Sequence, residues 1–246
     1  MDGLSRFYVY GVCHAGVTLP EGVVGLGDEP VRTFPVGRLA AIVSPTSLTV
    51  VRPERRHLSA HQAVLNKIAV VSDLLPMSFG MISDDEEAVR ALLSDHEAVL
   101  LRELTRVTGR VEMNVRLRLQ SKDTFSFFVD RYPVLRRQRD LCFNGRREPA
   151  QTELLDLGRT FEQLLARERE DKTSLAMAAL GAVAFELKNV GASNESVLFD
   201  INCLIDREHE ARFDAAIEDL AKRFDEDFLL EVRGPWPAYN FVNVSL

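Results

Sequence analysis

The sequence RVEMNVRLRLQ, residues 110–120, alternates polar and apolar side chains over its whole length, with the apolar residues at the odd-numbered positions. A period of two is typical of a β-strand that has one face on a core and the other toward solvent. The pattern predicts such a strand. We place a domain boundary at its start, which gives an N-terminal domain of residues 1–109 and a C-terminal domain of residues 110–246.

The C-terminal domain continues with helical and strand patterns in alternation. Residues 151–189 show helical spacing and are predicted as a long helical region, and residues 197–205 alternate as a strand. A helical pattern over 213–224 and a strand over 228–232 follow. The order β–α–β–α–β resembles a modified ferredoxin-like sandwich that lacks or alters one strand and carries a long helical insertion.

The N-terminal domain also mixes strands and helices. Residues 6–13 predict a strand that is covered on both faces, and residues 31–44 predict two further strands. Pro53 is suited to the first turn of a helix. Residues 74–82 predict an irregular or edge strand because they contain a proline, and residues 83–109 predict one helix that stops at a glycine. The fold class is therefore α+β, in two domains.

Composition narrows the function classes. Apolar residues make up 46% and charged residues 27% of the 246 positions, which is typical of a globular protein. The net charge of −7 argues against nucleic-acid binding, and the arginines within 131–147 read as a solvated helix and loop or as a patch for an acidic partner. Three widely spaced cysteines indicate reduced thiols in a cytosol. We see no signal segment and no apolar run that spans a bilayer, so a soluble cytoplasmic protein is expected.

Candidate catalytic and metal-binding groups are sparse. His57 and His61 lie four positions apart on a predicted helix and are compatible with a metal pair, but His61 falls on the apolar stripe, which favours a core histidine. Gly22, Gly25 and Gly27 lack the Lys-Ser/Thr of a phosphate loop and are interpreted as a connector. We predict no catalytic residue, no metal ligand and no cofactor, and the sequence does not indicate an enzyme.

The last part of the chain is aromatic and rich in proline, with the sequence GPWPAYNFV at residues 234–242. Each proline fixes φ and removes a backbone donor, and Gly234 can adopt the positive φ that redirects a chain after a strand. Docking on the protein, with Trp236 covering a sheet edge of the C-terminal domain, is the favoured interpretation. The alternative is a partner-facing role, because Trp and Tyr are enriched at interfaces. The residues of this structural tail are Gly234, Pro235, Trp236, Pro237, Tyr239 and Phe241.

Three segments together carry a family resemblance. The tail GPWPAYNFV, the strand FYVYGV at residues 7–12 and the run LLPMSFGM at residues 74–81 resemble the gas vesicle accessory proteins of the F/L type, the GvpF/GvpL family. The similarity extends from about residue 6 to 242. Ala238 replaces a further proline that is usual in the family, and Ser78 and Met81 replace the commoner Arg and Thr.

The resemblance implies an accessory or minor structural protein of the gas vesicle. Such a protein is expected in the cytoplasm, bound to the small hydrophobic shell protein and to other accessory proteins, where it assists nucleation and assembly. The alternatives are a small-molecule-binding regulatory protein on a ferredoxin-like domain and an uncharacterised enzyme. A partner-binding surface is expected in the N-terminal domain, on its strands, at Phe7, Tyr8, Val9, Tyr10, Leu39 and Ile42.

Overall fold

A computed structural model of the protein describes residues 6–143, 145 and 148–242. The chain divides into two compact units. The first comprises the residues up to Glu112 together with 206–208 and the residues from Gly234 onward, and the second comprises 113–205 and 209–233. Both units contain helices and sheets, so the predicted α+β class is confirmed. The tail is grouped with the first unit, whereas the sequence placed it in the C-terminal domain.

The first unit is built on a sheet with a buried central strand. Its strands are β1 (Arg6–His14), β2 (Arg32–Val36), β3 (Leu39–Thr46), β4 (Leu74–Pro76) and β5 (Ile82–Ser83). The order across the sheet is β2-β3-β1-β4, with β5 also paired to β1. Strand β1 runs antiparallel to β3. The short strand β4 lies at the edge of this order, as expected for a strand that ends in proline and lacks one donor.

The helices of the first unit are α1 (Arg55–Ala69), α2 (Glu86–Asp95) and α3 (Glu97–Val107). The prediction of one helix over 83–109 was wrong, because the chain leaves helical geometry at His96, where φ is −112° and ψ is 11°. Ser and Asp residues immediately before this point compete for backbone hydrogen bonds and weaken a helix. Gly109 adopts φ of +69°, which confirms the predicted stop after α3.

The second unit combines a four-stranded sheet with helices. Its strands, which cross its limits at some ends, and its helices are β6 (Arg110–Leu119), α4 (Thr124–Arg131), α5 (Pro133–Cys142), α6 (Gln151–Gly181), β7 (Glu186–Asn189), β8 (Val197–Asp206), α7 (Glu210–Ala221) and β9 (Phe228–Trp236). The order across the sheet is β7-β8-β6-β9. With the three helices α4, α5 and α6 taken as one connection, the element order is βαββαβ, which is compatible with a ferredoxin-like unit.

The strand that the sequence pattern missed is β7. The long helical region was predicted over 151–189, but α6 ends at Gly181 and Glu186–Asn189 pairs antiparallel with β8. The strand has only four residues and is half exposed, so it lacks a full alternation. Because apolar side chains near the end of α6 keep helical spacing up to Leu187, the periodicity alone gave the wrong boundary.

Two further expectations concern cysteines and membrane spans. All three cysteines are buried, and none forms a disulfide within the described residues, as the sequence predicted. Within residues 6–143, 145 and 148–242, no helix is both long and apolar enough to cross a bilayer.

Candidate functional site: an uncharged cavity beside His61

The structure buries all six residues predicted to contact a partner. Phe7 is 3% exposed, and the other five, Tyr8, Val9, Tyr10, Leu39 and Ile42, are 0% exposed. A partner could not reach these side chains without opening the sheet. Partner binding by these residues stays a prediction, while two of them, Tyr8 and Tyr10, support a different feature of the first unit.

That feature is a cavity of about 360 Å³. Helix α1 contributes three of its lining residues, the end of β4 and the turn after it contribute four, and the tail contributes two. No lining residue is Asp, Glu, Lys or Arg. The lining residues are Leu58, His61, Gln62, Pro76, Met77, Ser78, Phe79, Tyr239 and Val242.

His61 is held by an aromatic cluster beneath the cavity. Its ring lies 5.8 Å from the ring of Tyr10 in a stacked arrangement and 5.7 Å from that of Phe79 in an edge arrangement. Its Nδ1 lies 2.9 Å from the hydroxyl of Tyr8. The side chain is only 4% exposed, which matches the predicted core histidine. Among the described residues, no group of three His, Cys, Asp or Glu is arranged to hold a metal ion.

The hydrogen bonds of Tyr8 define the tautomer of His61. The Tyr8 hydroxyl accepts a hydrogen bond from the amide of Gly80 at 2.9 Å. Its own proton needs an acceptor, and Nδ1 of His61 is the acceptor in range. A neutral imidazole that accepts at Nδ1 carries its proton at Nε2. Nε2 is therefore a donor, and it is buried without a hydrogen-bond partner among the described residues.

Burial keeps the site neutral. It lowers the pKa of His61 to about 4, against a small opposing effect of the Met77 backbone. Burial also raises the pKa of Tyr8 to about 12 and that of Tyr239 still further, with Tyr8 and Glu112 adding to the second shift. His61 and both tyrosines are thus uncharged near pH 7.

The Tyr239 hydroxyl is a second polar group without a partner in the described part of the chain. Gln62 lies near it and slightly lowers its pKa, but the two groups do not meet hydrogen-bond geometry, and the Gln62 amide donates to Asn66 at 2.9 Å. The cavity therefore combines apolar walls with two unused polar atoms. Chemically, this arrangement suits a neutral group that carries a hydrogen-bond acceptor.

The tail that carries Tyr239 is anchored by hydrogen bonds to buried or half-buried groups. Asn240 donates from its backbone amide and its side chain to the carboxylate of Glu112, at 2.8 and 2.5 Å. The carbonyl of Phe241 accepts from the guanidinium of Arg106. Glu112 is 1% exposed and Phe241 is 1% exposed. These contacts favour the docking interpretation of the tail and fix Tyr239 at the cavity wall.

The other predicted tail residues occupy the approach to this anchor. Gly234, Pro235 and Trp236 complete β9, and Gly234 adopts the predicted positive φ, at +125°. Pro237 is buried and Trp236 is half-buried. Trp236 borders a separate small cavity of about 20 Å³ together with residues of the first unit.

Gly25 is required for a close approach to Tyr10, a role that the sequence interpretation as a connector missed. The Tyr10 hydroxyl bonds to Ser44 Oγ at 2.9 Å and accepts from the amide of Leu26 at 2.8 Å. A Cβ atom at Gly25 would lie 1.9 Å from this hydroxyl. The neighbouring pattern of glycines signalled loop geometry, but only the fold shows which side chain the glycine must admit.

Comparisons with known proteins define the family after the fold. The class is an α+β protein of two units whose first unit holds a neutral, aromatic-lined cavity. Residues 6–243 match the family described as "Gas vesicle synthesis protein GvpL/GvpF". Gas vesicle protein F of Streptomyces sp. (strain CB03234) is 33% identical over 240 residues, which cover 96% of this chain and 98% of that protein. The chain belongs to the GvpL/GvpF family, which confirms the resemblance seen in the sequence.

Solved structures agree with this fold. The crystal structure of the gas vesicle protein GvpF from Anabaena sp. PCC7120 superimposes with a TM-score of 0.82 at 24% identity, covering 98% of this chain and all of that chain. The GvpF structure from Microcystis aeruginosa gives a TM-score of 0.79 at 20% identity, with the same coverage. At these identities the likeness supports the fold.

Proposed function

We propose that this protein is a gas vesicle accessory or minor structural protein that binds the small hydrophobic shell protein and assists vesicle nucleation and assembly. The observation that carries the proposal is the family match over residues 6–243. The proposed place of action is the cytoplasm, at the growing vesicle. The proposal also includes contacts with other gas vesicle accessory proteins.

Physical chemistry supports such a role. A shell subunit exposes apolar surface before it assembles, and large exposed apolar patches promote aggregation. A protein that protects this surface needs a site that accepts apolar groups and an exterior that remains soluble. The net charge of −7 meets the second need. The uncharged cavity of the first unit is a candidate for the first.

The experiment is co-expression of the full-length protein with the small shell protein, followed by affinity capture. We expect the shell protein to shift from the pellet to the soluble fraction and to be retained with the tagged protein. A tagged acidic protein of similar size and unrelated fold serves as the control. Absence of capture, with the shell protein equally insoluble in both cultures, would contradict the proposal.

A further inference from the structure

The cavity beside His61 has the chemistry of an unfilled binding site. His61 is 4% exposed, and its Nε2 is buried without a partner among the described residues, as is the Tyr239 hydroxyl. Native proteins satisfy most buried polar atoms, so two unpartnered atoms in residues that line one cavity call for an explanation. A ligand that accepts a hydrogen bond supplies one.

The same cavity disfavours a charged ligand. Its lining residues carry no formal charge near pH 7, and an ion would lose its hydration without gaining a counter-ion. The buried carboxylate of Glu112 already opposes ionisation of Tyr239, so an anion would meet a repulsive field there. The occupant must therefore be neutral, apolar over most of its surface, and equipped with an acceptor.

We propose that the cavity receives a neutral segment of the shell protein, with an apolar side chain against Met77 and Phe79 and a backbone carbonyl accepting from Nε2 of His61. This inference rests on the proposed function. A peptide group flanked by an apolar side chain has the required chemistry, and a volume of about 360 Å³ lies within the range of ligand sites.

The rim of the cavity favours a protein over a small molecule as its occupant. Leu58 lines the cavity yet is 43% exposed, and Ser78 beside it is exposed as well. A small ligand inside the cavity would leave the outer part of Leu58 in water. A docked protein segment covers this apolar rim as well as the interior, which adds favourable burial.

A pair of leucines provides a matched test. Leu58 and Leu48 both belong to the first unit and are both 43% exposed, but only Leu58 lines the cavity. In the co-expression capture, we expect Leu58→Glu to lower the captured shell protein by at least about 10-fold, because the carboxylate would lose its hydration on docking. Leu48→Glu changes the net charge by the same amount and should keep capture within about twofold of the wild type.

A second variant tests the hydrogen-bonding role without disturbing the fold. Tyr239→Phe removes a hydroxyl that has no partner, so the melting temperature should stay the same or rise. Capture should fall by about 2- to 10-fold if the segment uses this hydroxyl, which corresponds to one net hydrogen bond. Circular dichroism melting and quantified capture are measured on the same preparations.

The outcomes separate this site from the proposed function. If the wild type captures the shell protein while Leu58→Glu and Tyr239→Phe behave like it, the cavity proposal is overturned and the function stands. If Leu58→Glu and Leu48→Glu lose capture equally, the effect is one of charge and the cavity is again overturned. If the wild type captures no shell protein, the proposed function fails and the cavity proposal fails with it.

Discussion

The two units bury polar groups in opposite ways. In the first unit, the cluster of Tyr8, Tyr10 and His61 is neutral, and His61 keeps one polar atom without a partner among the described residues. In the second unit, Asp200 accepts from Asn114 at 2.6 Å and from Arg116 Nε at 2.8 Å. The charged network is closed, whereas the neutral one is open toward a cavity.

This difference indicates which region is structural and which is available for binding. A buried carboxylate is tolerated only with partners, so the second network fixes strands β6 and β8 in register and has no donor left for a ligand. A neutral donor without a partner costs less, so a protein can retain one beside a cavity. The contrast assigns a structural role to Asp200 and a binding role to His61, and each variant below tests one side of it.

The largest effect is expected in the charged network. Asp200→Ala removes the acceptor of both Asn114 and Arg116 and leaves a half-buried guanidinium without this partner. Breaking such a pair should lower the free energy of unfolding by about 3 kcal/mol. Urea denaturation followed by circular dichroism measures the change.

The matched control for this variant is Asp156→Ala on α6. Its ion pair with Arg159 has side chains that are 67% and 72% exposed, so its removal should leave the urea midpoint nearly unchanged. Equal small losses in Asp200→Ala and Asp156→Ala would show that the buried network does not stabilise the second unit, and the contrast between the units would no longer hold.

The next effect is a pH dependence of the first unit. The pKa of His61 is about 4 in the folded protein, against 6.5 for an ordinary histidine. Between these values the unfolded chain binds a proton that the folded protein does not, so stability falls as the pH decreases from 6.5 to 4. The expected loss is on the order of 3 kcal/mol, at about 1.4 kcal/mol per pKa unit. It should be absent above pH 6.5.

Fluorescence of Trp236, the single tryptophan, reports unfolding of the unit that contains it. His61→Gln should flatten the pH dependence between 4 and 6.5, because the replacement does not titrate. His14→Gln, at an exposed position, should retain it. An unchanged slope in His61→Gln would mean that another group takes up the proton on unfolding.

The sequence predicted much of the fold but little of the candidate site. The alternation over 110–120 located β6, and the glycine after α3 marked its end, because both are local properties. The buried position of Asn114 on the polar face of β6 was not predictable, since it depends on Asp200 in a strand far along the chain. The same holds for His61, whose partner Tyr8 lies 53 positions away.

The tail shows the limit most clearly. Its prolines and aromatic residues indicated a stiff, docked segment, and the structure buries Phe241 accordingly. Nothing in the local pattern indicated that Tyr239 would line the same cavity as His61. A binding site built from α1, β4 and the tail depends on tertiary contacts, so neither periodicity nor a local motif reveals it.

The smallest effect on stability is also the sharpest comparison within the first unit. Tyr10→Phe removes a hydroxyl that accepts from the Leu26 amide and bonds to Ser44, and it leaves that amide without this partner, so the unfolding free energy should fall by about 1–3 kcal/mol. Tyr239→Phe removes the same atom from a ring that makes no such bond, and stability should stay constant or rise slightly. Differential scanning calorimetry of the two variants measures the difference directly. If Tyr239→Phe proved as costly as Tyr10→Phe, its hydroxyl would have a structural partner, and the cavity would lose one of its two available polar groups. A difference of the expected sign means instead that selection for stability does not explain the Tyr239 hydroxyl, which leaves binding as its role.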